Sequence, residues 1–317
     1  MATEDAALSV KGVTLSDGAG AGVEKTHIIM ASTTGFRREY DRSSASFSVS
    51  VIAEDESGNK ETDYDFSSAV YFSDLESAES IGKNAGERAV KRLHSRKIDS
   101  GTADIVFDPR LSRELIGTLT SAINGSAIAR GTSFLKDCLN APVLPENLTL
   151  IENPHKKRGL RSRPCDAEGL PCRQRNLVEN GILKTWLLDL HSARKLGMEP
   201  TAHAARGLGG SPRPSVSNLT LTGGTVTPEE LVAGVENGIY VTQLFGQGVN
   251  MITGDYSRGA TGFLIEKGQI TVPVSEITIA GNLKDMFKNM IAANDLNERY
   301  AVNAPTLLLP HLSVAGK

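Results

Sequence analysis

The sequence predicts an α+β fold, with largely antiparallel sheets and packed helices. Three observations carry this. Asn180-Gly181 sits between two aliphatic runs, the pattern of a two-residue hairpin whose turn needs positive φ at both central positions. Lys267-Gly268 repeats the arrangement. Strand-like and helix-like segments do not alternate regularly, which argues against βαβ units and a parallel sheet. The 317 residues amount to about two domains at roughly 100–200 residues each. A composition shift places the boundary near residue 107, giving a central α+β region over 1–106 and a β-rich region over 107–317.

The elements follow in chain order. His27–Ala31 reads as a short strand. Ala45-Ser-Phe-Ser-Val-Ser-Val51 alternates small or polar with apolar residues, the period of a half-buried strand. Glu54–Lys60 is turn-like, and Glu61–Phe66 returns as the second strand of a hairpin. A helix is expected from Asp74, its cap, to about Leu93, with Ile81, Ala85, Ala89 and Leu93 on one face. Ile105–Phe107 is a strand. The next helix runs from Ser112, a candidate cap, to Ile123, with Leu115, Ile116, Leu119 and Ala122 in its apolar stripe. Thr227-Pro-Glu-Glu opens another helix, with Pro228 at the first helical position and Gly238 as its expected end. Ile239–Phe245 and Ile277–Ala280 are strands. Asn282 begins a final helix with Leu283, Met286, Phe287 and Met290 on one face, and Thr306–Leu309 is a closing strand.

Composition removes several function classes. Hydrophobic residues are 39% and charged residues 22%, a globular balance rather than a disordered one. The net charge is −3, which argues against a general nucleic-acid binder. No apolar run approaches the roughly 20 residues of a membrane-spanning helix. Met1-Ala-Thr-Glu-Asp5 lacks the basic and apolar regions of a signal peptide, so a cytoplasmic location is expected. Three cysteines, Cys138, Cys165 and Cys172, fit a reducing compartment. Cys165 and Cys172 are too far apart for a short zinc knuckle. They read as structural thiols, with Arg163 and Arg173 offering an electropositive setting for the reactive alternative.

Candidate chemistry is sparse. Gly18-Ala-Gly-Ala-Gly22 matches neither a phosphate loop nor a dinucleotide fingerprint, and reads as a flexible turn. Asp189 and His191 read as one face of a strand, either a ligand pair or a plain polar face. Gly207–Pro214 reads as a lid or linker loop. Gly246–Gly259 is the most suggestive stretch. Four glycines allow close backbone approach, and Asp255 and Arg258 form a charge pair three apart, either at a binding site or inside a structured turn. No His-Glu-x-x-His and no Gly-x-Ser-x-Gly occurs.

Several longer phrases together carry a family resemblance. They are Ile128-Ala-Arg-Gly-Thr-Ser-Phe-Leu135, Arg163-Pro-Cys-Asp-Ala-Glu-Gly169, Leu188-Asp-Leu-His-Ser-Ala-Arg-Lys-Leu-Gly197, Thr253-Gly-Asp-Tyr-Ser-Arg-Gly-Ala-Thr-Gly-Phe263 and Glu276-Ile-Thr-Ile-Ala-Gly-Asn-Leu-Lys-Asp-Met286. They resemble the TldD/PmbA family, its PmbA (TldE) branch more closely than TldD. The resemblance covers nearly the whole chain. It implies the central and C-terminal parts of such a protein, without the further N-terminal α/β domain that family members carry.

The resemblance also implies a heterodimeric cytoplasmic protease, linked to DNA gyrase modulation, that cuts unfolded or extended peptides such as antibiotic precursors and antitoxins. TldD-like subunits carry His-Glu-x-x-x-His on a helix shortly before Gly-Thr-Ser. Here Gly131-Thr-Ser133 is present, and the matching ligand positions fall on Ile116, Gly117 and Ser121. None of these side chains is a strong zinc donor. The expectation is therefore a subunit with no catalytic residue, metal or cofactor of its own. Zinc would sit in a TldD-like partner, and the isolated chain would pair with itself or with that partner. Substrate contacts are expected at Gly131, Thr132, Gly254, Asp255 and Arg258. Two rival readings stand beside this one. One is a self-sufficient metallopeptidase using His191, His203 or Cys172. The other is a non-enzymatic gyrase-associated binding protein.

Overall fold

The chain divides between Arg96 and Lys97 into two units, ahead of the composition shift at Phe107, and Arg158–Leu160 groups with the first. The computed structural model describes residues 2–33, 35–207 and 209–317.

The first unit carries α1 (Ala2–Leu8), β1 (Val13–Ala31), β2 (Arg37–Glu54), β3 (Lys60–Ala69) and α2 (Ala78–Lys91). The three strands form an antiparallel sheet in the order β1-β2-β3. Alternate residues of β2, Val49, Val51 and Ala53, are buried with Ile81, Ala85 and Ala89 of α2, as the two periodicities require. Gly18–Gly22 is not a turn. It lies inside β1, with Gly18, Gly20 and Gly22 opposite Ser50, Ser48 and Ser46. The well-patterned neighbouring strand overrides the weak strand propensity of glycine. The cap of α2 is Ser77, which accepts from the Ser80 N–H at 3.0 Å, and not Asp74. The Asp74 carboxylate is taken by Arg158 instead.

An ionic network holds α2 on β3. Arg92, 1% exposed, donates to Asp63 Oδ2 at 2.7 Å and to the Thr62 carbonyl, and its Nε lies 3.4 Å from Glu61. Arg88 reaches Asp63, Asp65 and the Tyr64 carbonyl. Nothing in the apolar periodicity of α2 announces this network.

The second unit holds β4 (Gly101–Phe107), α3 (Pro109–Ala122), α4 (Gly125–Ala129), β5 (Thr149–Glu152), β6 (Arg175–Glu179), β7 (Ile182–Leu183), α5 (Leu190–Leu196), β8 (Ala204–Ala205) and β9 (Arg213–Pro214). It continues with β10 (Leu219–Thr222), α6 (Pro228–Ala233), β11 (Asn237–Phe245), β12 (Asp255–Glu266), β13 (Gln269–Asn282), α7 (Leu283–Asn289), β14 (Ile291–Ala292), β15 (Val302–Asn303) and β16 (Leu307–Ala315). One sheet has the order β13-β12-β11-β4-β16-β14, and β13 also pairs with β16. That extra pairing closes the sheet on itself, which removes most of its free edges. A second sheet runs β15-β10-β5-β6-β7, and β8 pairs with β9. Most pairings are antiparallel; β4–β11 and β10–β15 are parallel.

Both hairpins form as predicted. Glu179 pairs Ile182 across Asn180 and Gly181, and Glu266 pairs Gln269 across Lys267 and Gly268, with all four turn residues at positive φ. A side chain at Gly181 would fall 2.4 Å from the Leu144 carbonyl oxygen, so this turn needs glycine twice over. The cap of α3 is Asp108 rather than Ser112: its Oδ1 accepts from the Arg110 and Leu111 N–H groups, and Pro109 starts the helix. Ser112 is buried inside the first turn. Helix α6 starts at Thr227 as expected and ends at Gly234, not Gly238, which lies in β11 under a tight contact from Asp104. Asp189 and His191 are not on a strand. Asp189 caps α5 through the Ser192 N–H at 2.7 Å, and His191 rides on the helix. Leu208, within the predicted loop Gly207–Pro214, lies outside the described residues, and Arg213–Pro214 forms β9.

Replacing Arg92 by alanine leaves Asp63 buried without its main partner. The expected loss is about 3–5 kcal/mol of stability, read by urea unfolding of the full chain.

Candidate functional site

The residues singled out from sequence lie on two segments, the turn after α4 and the start of β12. Strand β4 feeds α3 through the Asp108-Pro109 corner, and α3 and α4 lead to the turn Gly131-Thr-Ser-Phe134. Gly131 adopts φ +70° and is exposed, with open space where a side chain would stand. The Thr132 N–H and hydroxyl both reach the Ala127 carbonyl, at 3.0 and 3.3 Å. Ser133 is buried, and its hydroxyl donates to the Ala122 carbonyl at 2.6 Å. The Phe134 N–H then donates to the Met251 carbonyl at 2.8 Å. That bond joins the turn directly to the glycine-rich segment 246–259.

The glycines of that segment serve a close approach, and the partner is the chain's own β12. The Ser257 N–H donates to the Gly248 carbonyl at 2.7 Å, and a Cβ at Gly248 would fall 1.6 Å from the Ser257 oxygen. Gly254, at φ +88°, sits against Asn282 and the Phe134 ring. Phe134 stacks on Phe287 of α7, with centroids 6.4 Å apart. Asp255 accepts from the Thr253 hydroxyl at 2.6 Å and from Asn282 Nδ2 at 3.2 Å.

Asp255 and Arg258 do not pair with each other. Three residues apart on one strand, they face opposite sides. Arg258 Nη1 donates to Glu114 of α3 at 2.8 Å, and its Nε donates to the Phe245 carbonyl at 3.1 Å. Burial pushes the neighbouring Tyr256 hydroxyl well above its ordinary range. The structure therefore groups Gly131 and Thr132 with Gly254 through Phe134, and ties Arg258 to the helix that carries Ile116, Gly117 and Ser121. Ile252 on the loop and Phe245 at the end of β11 are exposed apolar side chains that flank this segment.

The three helix positions do not fit a zinc ion. Ile116 is fully buried in the core, Gly117 has no side chain, and the Ser121 hydroxyl is used by the Gly117 carbonyl at 3.0 Å. Zinc takes imidazole, thiolate or carboxylate donors. Among the described residues no group of three or more His, Cys, Asp or Glu converges on one point.

Sequence reasoning missed a second polar centre. His203, 1% exposed, bonds Glu152 Oε2 through Nε2 at 2.7 Å and Thr201 Oγ1 through Nδ1 at 2.7 Å. Glu152 Oε1 accepts from the Ser217 N–H at 2.6 Å and its hydroxyl at 2.9 Å. Nearby, Asp166 accepts three backbone N–H groups, from Glu168, Leu170 and Ala204. Cys172 is buried, its thiol 3.7 Å from the Ala202 carbonyl, and burial pushes it above its ordinary range. Partners 51 and 65 residues apart leave no local pattern; only the β-period of Glu152, inward on β5, hints at a buried carboxylate.

This geometry matches known folds. A Bacteroides thetaiotaomicron protein described as a candidate modulator of DNA gyrase aligns with a TM-score of 0.90 at 31% identity, over 100% of this chain and 70% of that one. TldE from Thermococcus kodakarensis, at 21% identity, shares the fold with a TM-score of 0.88 over 99% of this chain and 72% of that one. The class is thus a two-unit α+β fold built on a closed, mostly antiparallel sheet. Residues 100–316 match the PmbA/TldA metallopeptidase C-terminal domain, and residues 1–93 the PmbA/TldA metallopeptidase central domain. Metalloprotease PmbA of Escherichia coli O157:H7 is 39% identical over 316 residues, covering 99% of this chain and 68% of that protein. The chain belongs to the PmbA/TldD family.

Two predictions follow from these contacts. Burial opposes ionisation of Glu152, but the His203 ring and the Ser217 N–H and O–H outweigh it and hold the carboxyl below its ordinary value of 4.5. The unfolded chain therefore binds more protons through this group. Its stabilisation is complete above about 4.5 and is lost as pH falls through the lower folded value. Acid titration of the melting temperature is expected to show that loss, and Glu152→Gln to flatten it. Separately, Gly254→Ala forces a Cβ to 3.0 Å from Asn282 at a positive φ. A cost of about 1–3 kcal/mol is expected by chemical denaturation.

Proposed function

We propose that this chain is a PmbA/TldE-type subunit of a heterodimeric metalloprotease acting on unfolded or extended peptides, with the zinc held by a TldD-like partner. The observation that carries the reading is α3. Family membership supplies the helix, while Ile116, Gly117 and Ser121 supply no metal donor. The chain would then complete, position or regulate the partner's active site. It needs no cofactor of its own, and the isolated chain would pair with itself where the partner is missing.

The substrate-facing surface in this reading is the turn at Gly131 and Thr132 with Asp255, shaped from behind by buried Gly254, while Arg258 acts from the other face of β12 through Glu114. An extended peptide can be held by backbone hydrogen bonds, which ask little of its sequence. Gly131 is exposed with free space above it, and Ile252 and Phe245 offer apolar contact alongside. A cytoplasmic setting is supported by three free cysteines, Cys138, Cys165 and Cys172. Among the described residues no helix is long and apolar enough to cross a membrane. The gyrase link attached to the Bacteroides relative would act through peptide processing rather than nucleic-acid binding, given the net charge of −3.

The test is peptide cleavage by this chain alone, by a TldD-like partner alone, and by both. Activity is expected only, or far more strongly, with both. Cleavage by the lone chain with stoichiometric bound zinc would overturn the proposal in favour of a self-sufficient peptidase. Failure to recover a TldD-like protease in a pull-down, with unchanged proteolysis on deleting the chain, would favour a non-enzymatic binding protein. Within the active pair, joint replacement of Asp255 and Arg258 by alanine is expected to lower cleavage about tenfold, chiefly through KM. Unchanged cleavage removes these residues from the peptide surface.

A further inference from the structure

The second unit carries a concentration of positive charge that the proposed protease role does not use. Between His155 and Arg175 the chain holds Lys156, Lys157, Arg161, Arg163, Arg173 and Arg175, apart from Arg158, which pairs with Asp74. Against them stand two acids, Asp166 and Glu168. With Arg158 included, the formal local balance is 7 − 2 = +5, in a protein whose net charge is −3.

The fold gathers these cations from three chain segments. The His155 ring bonds the Cys172 carbonyl at 2.9 Å, which sets the first segment beside Arg173. The Arg163 N–H donates to the Pro154 carbonyl at 2.8 Å, and the Ser162 hydroxyl to the Lys156 carbonyl at 2.6 Å, which sets the second segment against the first. The Cys172 N–H donates to the Pro164 carbonyl at 3.3 Å, which joins the third to the second. Each of these adjoining segments carries two basic residues.

The neighbouring acids are already engaged. Asp166 is satisfied by three backbone N–H groups, Glu168 accepts from the Leu190 N–H, and Glu152 is held by His203 and Ser217. Lys156 pairs with Glu298, and Arg163 donates to the Ser215 carbonyl. Lys157, Arg161 and Arg173 are exposed and, among the described residues, have no acidic partner. Unneutralised like charges held together raise the local potential and attract a ligand of opposite sign.

We propose that Lys157, Arg161 and Arg173 form a docking surface for an acidic polypeptide segment. The free cations stand on three separate segments rather than converging on one point, which suits an extended polyanion better than a single small anion. Residues 153–176 contain no Phe, Tyr or Trp, so a stacking platform for single-stranded bases is missing. The surface lies on residues other than Gly131, Thr132 and Gly254–Arg258, and the idea stands whether or not the chain takes part in proteolysis.

The test uses the full chain and a fluorescein-labelled oligoglutamate peptide, read by fluorescence anisotropy at low ionic strength. Binding is expected, weakening steeply with added salt. The triple charge reversal K157E/R161E/R173E is expected to weaken it at least about tenfold, while a scrambled neutral peptide binds neither form. Circular dichroism checks the fold, and K157Q/R161Q/R173Q serves if the reversal does not fold. No binding by the wild-type chain, or equal binding by a folded triple variant, overturns the proposal. A single-stranded oligonucleotide of matched charge that binds tighter than the peptide also overturns it and assigns the surface to nucleic acid.

Discussion

The second unit depends on the Asp108 carboxylate. Its Oδ1 caps α3 by accepting from the Arg110 and Leu111 N–H groups, and its Oδ2 accepts from Arg110 Nε at 3.0 Å. The Asp108 N–H donates to the Val241 carbonyl, and Arg110 Nη2 to the Thr242 carbonyl. One residue therefore ends β4, starts α3 and binds both to β11. A helix turns about 100° per residue, so the starting residue fixes which face meets the core. From this start, Leu115, Ile116, Leu119 and Ile123 enter the core while Glu114 faces Arg258. A cap at Ser112 would have left Pro109 to Leu111 outside the helix and the corner without its clamp.

The same corner explains why α3 is fixed in place as part of the core. The closed sheet needs α3 as a lid on its core, and Ile116 serves that packing directly. The Gly131 turn and the 246–254 loop follow from the same packing, because the Phe134 N–H bonds the Met251 carbonyl and the Phe134 ring stacks on Phe287. The loop folds onto β12 only because Gly248 leaves room for the Ser257 carbonyl.

A buried polar pair ties distant segments together in each unit. Arg92 with Asp63 locks α2 to β3, and His203 with Glu152 locks the chain beyond α5 to β5. Such pairs cost desolvation, and they hold only where further hydrogen bonds satisfy the remaining polar atoms. Thr201 and Ser217 do so for His203 and Glu152; for Arg92 the Thr62 carbonyl takes one nitrogen, while its buried Nε has only the longer contact to Glu61.

The sequence by itself determined what depends on neighbouring residues. The Asn180-Gly181 and Lys267-Gly268 turns, the Thr227-Pro228 helix start and the buried face Leu283, Met286, Phe287 and Met290 are all local in origin, and all appear. The Asp108-Pro109 corner was equally legible as a cap followed by proline, and Ser112 was the poorer choice. Tertiary structure alone decided the rest. Gly18–Gly22 became strand because β2 pairs with it, and β13 closed on β16 across a sequence separation no turn signal spans. Asp255 and Arg258 went to different partners because a strand sends residues three apart to opposite faces. His203 found Glu152, and the His155 ring found the Cys172 carbonyl, only after the fold had brought distant segments together. Local sequence sets dihedral preferences and amphipathic periods, whereas long-range pairing is chosen by the burial of whole faces.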